Sequence, residues 1–279
     1  MKKPVIITIG THKSGVGKST TVINLSWAFA ELGYNVLVCD FDAQCNTTQT
    51  FLQRQHFGDI KTVNIGTLLT DDNLIFSNAN FPTRNKNLNL IPATIQLSDL
   101  RNQLIGDARK FMGLIKKIDE PTKHHFHFII FDVNSESGGF IETALCTSHY
   151  YIMPIKAEDK WSLDGLQMFK DTIKKVGLIN PDIKLLKALI TMYDQRTSTS
   201  QASKSLIHAQ FGKDVFDTII RQNTDIGKAN GKYLSIFEYD RRRYGAHDYI
   251  ELAKEIEKIL KENNNLPEKT MEINYATKK

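Results

Sequence analysis

Short, nearly all-apolar runs alternate with stretches whose apolar residues recur every three or four positions, and this alternation persists along most of the chain. The first run, Val5–Ile9 (VIITI), reads as a buried strand. Across residues 19–32, Val22, Leu25, Phe29 and Leu32 fall at helical spacing, and Gly33 stands where that helix should stop. Residues 34–39 form a second buried strand that ends in Asp40, Phe41 and Asp42. From 51 to 87 the pattern weakens into short apolar runs such as IGTLL at 65–69, which predicts short helices and loops. Residues 87–93 (NLNLIPA) return to a strand with turn chemistry at Pro92. Residues 97–118 fit an amphipathic helix with Arg101, Arg109 and Lys110 on its solvated face.

The near-continuous apolar run at 126–131 (FHFIIF) is expected of a central parallel strand, and it closes in Asp132. A further strand at 150–155, a helix running to Val176, a strand at 185–191 and a helix at 200–211 follow. The segment AHDYIELAKEIEKIL is a strongly amphipathic terminal helix. Strand and helix alternating in this way predict an α/β fold, a mostly parallel sheet with helices on both faces. A single domain over residues 1–263 is expected, with 264–279 a polar, flexible tail.

The first strand runs into GTHKSGVGKST, residues 10–20, and then into the first helix. Gly15 and Gly17 bracket Val16 so that backbone N–H groups can turn onto a phosphate. Lys18 supplies a compact positive charge, and Ser19 a hydroxyl for Mg²⁺. A strict phosphate loop wants glycine five residues before Gly17, and His12 stands there instead; what the segment offers is a second lysine, Lys13. Asp40 and Asp42 end a strand beside this loop, where metal and water must be handled.

Composition narrows the picture only modestly. With 41% hydrophobic and 24% charged residues among 279, the chain is ordinary for a globular protein, and its net charge of +5 tolerates a polyanionic partner without requiring one. The apolar N-terminal stretch is too short for a signal peptide, and nowhere do eighteen apolar residues run together, so a cytoplasmic protein is expected. Cys39, Cys45 and Cys146 form no C-x-x-C pair, which argues for reduced core cysteines. His124, His125 and His127 have no partner ligands at a metal-binding spacing.

The segment KSGVGKST resembles the deviant Walker A box, KGGxGK[ST], of the ParA/MinD class of P-loop ATPases, with Ser14 in place of the first glycine. DFDAQCNTT resembles the second box of that class, DxDPQGN, with Ala43 and Cys45 departing from proline and glycine. FIIFD resembles a Walker B strand, followed by Val133, Asn134 and Ser135 where the family has DTPP. YYIMPIKAEDKWSLDGL also follows the family, with Ser162, Leu163, Gly165 and Leu166 in the expected places, as do Arg196 and Thr197. The likeness extends from Val5 to about Leu260, and only four residues precede Val5, so no DNA-reading domain is expected ahead of it.

The resemblance implies a P-loop NTPase sheet and a Mg²⁺-dependent ATPase, slow without its partner. The nucleotide would lie against Lys13, Ser14, Gly15, Val16, Gly17, Lys18, Ser19 and Thr20, and its base near Thr191, Met192 and Arg221. Ser19, Asp40 and Asp132 would serve the metal, and Asp42 would orient the attacking water. Lys13 would reach a phosphate held by a facing subunit, in an ATP-dependent homodimer. The ParA branch further implies binding to non-specific DNA, a centromere-binding partner protein that stimulates hydrolysis, and nucleoid association in the ATP state. Lys204, Lys228, Lys232, Arg241, Arg242 and Arg243 are the candidate DNA contacts. Whether the cargo is a plasmid or a chromosome stays open. The alternative is a membrane-positioned ATPase of the MinD type, which needs a terminal helix with bulky apolar residues opposite lysines. An electron-transfer ATPase of the nitrogenase-reductase type needs cysteines in the loop at 133–141, which has none.

Overall fold

The structure, a computed structural model, describes residues 3–104, 113–136, 139–157 and 163–268. Its strands are β1 (Val5–Ile9), β2 (Val36–Phe41), β3 (Phe81–Pro82), β4 (Leu88–Ile91), β5 (Phe128–Val133), β6 (Tyr150–Lys156) and β7 (Lys184–Thr191). The helices, in chain order, are α1 (Lys18–Glu31), α2 (Asn46–Phe51), α3 (Ile65–Thr70), α4 (Leu97–Leu104), α5 (Glu120–His125), α6 (Gly139–Thr147), α7 (Leu163–Gly177), α8 (Ser198–Phe211), α9 (Thr224–Asn230), α10 (Ile236–Asp240) and α11 (Tyr244–Glu262). The sheet runs β3-β4-β2-β5-β1-β6-β7, parallel except for the β3–β4 pair.

The two faces of the sheet explain why its central strands are apolar nearly throughout, apart from Thr8 and the strand-end Asp40 and Asp132. Successive side chains alternate sides, so Val36, Val38, Phe128 and Ile130 enter one core with α1 and α11, while Leu37, Cys39, Ile129 and Phe131 enter a second core with α6. In the first core Phe29 of α1 stacks on Phe128 with ring centroids 4.1 Å apart, both fully buried. Each such ring stabilises the fold by roughly 1.5–3 kcal/mol. Helix α1 ends as the sequence requires: Gly33 takes φ +87°, and Tyr34 N–H donates to the Phe29 carbonyl at 3.0 Å.

Several expectations change. Of the helix expected at 97–118, α4 is seen to Leu104. Leu114 and Ile118 are buried beyond it, and a short helix, α5, with Pro121 in its first turn follows. Residues 105–112, with Arg109 and Lys110, and the side chain of Arg101 lie outside the description. The two-residue edge strand β3 had no legible pattern. At 264–266 the chain still touches the domain: Asn265 Nδ2 donates to the Tyr150 hydroxyl at 2.6 Å, and Leu266 packs on the first core. Among the described residues no helix is long and apolar enough to cross a membrane.

Candidate active site

Register brings the charged strand ends together. Asp132 at the end of β5 pairs with Ile9 of β1 on one side and with Asp40 of β2 on the other. All three lie at the carboxyl ends of parallel strands, where the loop at 10–17 leads into α1. In that loop Gly15 has φ +71° and Gly17 φ +84°, a region that costs a side-chain-bearing residue about 1–2 kcal/mol. Ser14 is not among the positive-φ residues, so it replaces a glycine without backbone cost. The N-terminus of α1 receives no side-chain cap from Gly17, which leaves its first amides available to an anion.

Lys18 is nearly buried, and its ammonium donates to the Lys13 carbonyl at 2.8 Å. Burial lowers its pKa, while Asp132 and Asp42 oppose that shift. The Ser19 hydroxyl donates to Asp132 Oδ1 at 3.1 Å, and Thr47 donates to Asp132 Oδ2 at 2.6 Å. Asp40 accepts three hydrogen bonds: from Asp42 N–H at 3.0 Å, from Thr48 N–H at 2.8 Å and from the Thr48 hydroxyl at 2.7 Å. Both carboxylates are fully buried, and burial pushes both pKa values up; their proximity adds to the rise at Asp40, and their hydrogen-bond donors restrain it in both.

A cleft of about 520 Å³ opens above these groups, lined by Ser14, Gly15, Lys18 and Ser19 on one wall and by Asp42, Asn46 and residues 134–136 on the others. Asp42 lines it; Asp40 does not, and its bonds to Asp42 and Thr48 instead fix the loop that carries Asp42. Lys13, half-buried, is not among the lining residues. A larger cavity of about 880 Å³ lies around α2, α3 and α4, with Lys61 and Asp99 as its charged lining residues; it lacks the convergent phosphate-binding groups of the smaller cleft.

Gly17 and Thr20 also line a second cavity, of about 160 Å³, with Thr191, Met192, Ile220, Arg221, Gln222 and Asn223. A nucleotide crossing Gly17 would therefore reach from this cavity into the cleft. Thr191 and Arg221, both expected near the base, line this cavity and also bond within the protein. The Thr191 hydroxyl donates to the Val16 carbonyl at 2.9 Å and so steadies the phosphate loop. The Arg221 guanidinium is held by Asp248, with Nη2 2.5 Å from Oδ1, and lies over the Tyr244 ring. Met192, at φ +52°, brings its Cε within 3.5 Å of where a Cβ on Gly17 would stand.

The basic candidates fall in two places. Lys228, Lys232, Arg241, Arg242 and Arg243 lie on or beside α9 and α10, while Lys204 is on α8. Each has a neighbour: Lys228 and Arg243 pair with Asp225, Arg242 and Arg243 with Asp240, and Arg241 with Glu31. Lys232 and Lys204 lie over the rings of Tyr239 and Tyr193. The sequence reading missed Thr47, Thr48 and Asp248; the two threonines directly follow the second box, which was the available signal.

A family model described as AAA domain matches residues 4–185. The sporulation initiation inhibitor protein Soj of Bacillus subtilis is 31% identical over 252 residues, covering 90% of this chain and 97% of Soj. The chromosome partitioning protein ParA of Caulobacter vibrioides is 28% identical over 255 residues, covering 90% and 93%. Among solved structures, cobyrinic acid a,c-diamide synthase from Mycobacterium smegmatis with bound ATP analogue and magnesium superposes with a TM-score of 0.78 at 26% identity, covering 96% of this chain and all of that one. A plasmid partition protein from Borrelia burgdorferi bound to AMPPNP gives 0.75 at 25% identity, covering 94% of this chain and all of that one. With its paired-lysine phosphate loop and its three strand-end carboxylates, the chain belongs to the family of ParA-type partition ATPases.

Proposed function

We propose that this chain is an ATP-driven DNA partition switch, cytoplasmic and nucleoid-associated when ATP-bound. The observation that carries the reading is the pairing of Lys13 with Lys18 in one glycine-turned cradle, where Lys18 is held inward by the Lys13 carbonyl. The uncapped amides of α1 and Lys18 would bind the β- and γ-phosphates, and the cavity at Met192 and Arg221 would take the base. The donor set fits Mg²⁺: Ser19 already touches Asp132, a hydroxyl and carboxylate of the kind that hold this hard cation with its waters. Bound there, Mg²⁺ would neutralise charge on the β- and γ-oxygens. Asp42, which lines the cleft on a loop tied down through Asp40, would orient the attacking water.

Lys13 extends the site to a second copy of the chain: two ATP-bound subunits meet face to face, each lysine entering the other's site, and hydrolysis dissolves the pair. The dimer doubles the basic surface around α9 and α10, which would bind duplex DNA without sequence preference. A centromere-binding partner protein would then stimulate hydrolysis and release. Against a membrane role, Leu252, Ile256 and Leu260 of α11 are buried in the core.

The test is binding to non-specific duplex DNA with ATP, with ADP and without nucleotide, at two salt concentrations. Binding that requires ATP, weakens with salt and is lost in Lys13→Ala is expected. Binding independent of nucleotide, or ATP-driven binding to anionic liposomes in place of DNA, overturns the reading.

A further inference from the structure

His12 occupies the position where a strict phosphate loop carries glycine. Its ring joins three parts of the fold. Nδ1 lies 3.3 Å from the Ser135 carbonyl, in the loop after β5, and Nε2 lies 2.8 Å from the Thr172 hydroxyl on α7. The ring also meets the edge of Phe169, one turn earlier on α7, with centroids 5.5 Å apart.

The hydrogen-bond inventory settles the protonation pattern. A carbonyl only accepts, so the Ser135 contact requires a proton on Nδ1. Burial, with Lys18 adding to it, lowers the His12 pKa against the opposing pull of the Ser135 carbonyl, which favours the neutral ring. A neutral ring with its proton on Nδ1 accepts at Nε2, and Thr172 can donate there by turning its hydroxyl from the more distant Met168 carbonyl at 3.3 Å. His12 thus donates to the loop and accepts from the helix.

The position of that loop matters because Asn134, Ser135 and Glu136 line the same cleft as Ser14 and Gly15. Gly17 and Thr20 line both the base cavity and the cleft, whereas Asn134–Glu136 and Asp42 line the cleft alone, so a nucleotide laid from one into the other would bring toward that stretch the terminal phosphate that a diphosphate lacks. We propose that His12 is a positioning residue for this wall: by bracing the Ser135 carbonyl against α7, it shapes the terminal-phosphate end of the cleft and so sets the preference for ATP over ADP. The inference rests on the nucleotide site being used as proposed above.

The experiment compares the affinities of wild type, His12→Ala, His12→Gln and Thr172→Val for ADP and for a non-hydrolysable ATP analogue, each with Mg²⁺. His12→Ala is expected to weaken the analogue about tenfold and ADP less than about twofold. Glutamine can donate and accept as His12 does, so it should restore most of the discrimination. Thr172→Val, which leaves the phosphate loop untouched, should shift the ratio in the same direction as alanine. Equal weakening of both nucleotides, failure of glutamine to rescue, or an unchanged ratio in both His12→Ala and Thr172→Val overturns the proposal. A wild type that binds both nucleotides but never DNA would sink the partition reading and leave this comparison decisive for His12.

Discussion

Replacing Thr48 by valine tests whether Asp40 anchors the loop that carries Asp42. Thr48 is buried, and its hydroxyl does two things at once: it donates to Asp40 Oδ2 at 2.7 Å and accepts from Ala93 N–H at 2.8 Å. Valine has nearly the same shape but removes both bonds. Losing the hydrogen bond to Asp40, whose buried carboxyl is pushed toward its neutral form, costs roughly 0.5–1.5 kcal/mol, and leaving a buried N–H unpaired roughly 1–3 more, for a total of roughly 1.5–4.5 kcal/mol. At roughly 2–4 °C per kcal/mol for a domain of this size, Tm should fall by roughly 3–18 °C. Thr48→Ser keeps the hydroxyl and loses a methyl group, so it should cost only about 1 kcal/mol. Urea unfolding and thermal melts of both variants provide the comparison, and single-turnover hydrolysis should fall with valine more than with serine. If serine proves as damaging as valine, or valine costs less than about 0.5 kcal/mol, the hydroxyl is not the anchor and the reasoning fails.

Three further outcomes are expected. Asp42→Asn should retain affinity for an ATP analogue while hydrolysis drops by about 100-fold or more, because the residue lines the cleft without contributing to the phosphate cradle; parallel loss of binding would contradict its assignment. Asp225→Asn removes the carboxylate shared by Lys228 and Arg243, at 3.1 and 3.5 Å, and should tighten ATP-dependent DNA binding severalfold at low salt with a steeper salt dependence; unchanged binding would move the DNA surface away from α9. Cys45 sits at φ +56°, so Cys45→Gly should raise stability by about 0.5–1 kcal/mol in urea unfolding, after the lost packing of a half-buried side chain offsets part of the relieved strain.

What could be read from the sequence follows from how local each signal is. β5 was legible because both its faces are buried, which leaves FIIF no polar position. The phosphate loop was legible because its glycines, Lys18 and Ser19 act within one turn of chain. Edge strand β3 was not: it has only two residues, Phe81 opposite Leu90 and Pro82 opposite Asn89 of β4, and a proline fills half of it. The contacts of His12 were equally hidden, since its partners lie 123 and 160 residues away. Arg221 was expected at the nucleotide base; it lines the cavity beside Gly17, and its bond to Asp248, from α11, 27 residues away, was not legible in the sequence.

The central claim is that Lys13 acts on a nucleotide held by another copy of the chain, and mixing two crippled variants tests it most directly. Lys13→Ala keeps its own nucleotide but lacks the crossing lysine, whereas Asp42→Asn keeps its nucleotide and the crossing lysine but cannot orient the attacking water. Each alone should hydrolyse ATP at background rate. Mixed in equal amounts with DNA present, they should recover up to about a quarter of wild-type activity, because half the dimers are mixed and each of those has one complete site. A mixture no more active than its components would contradict a lysine acting across the interface.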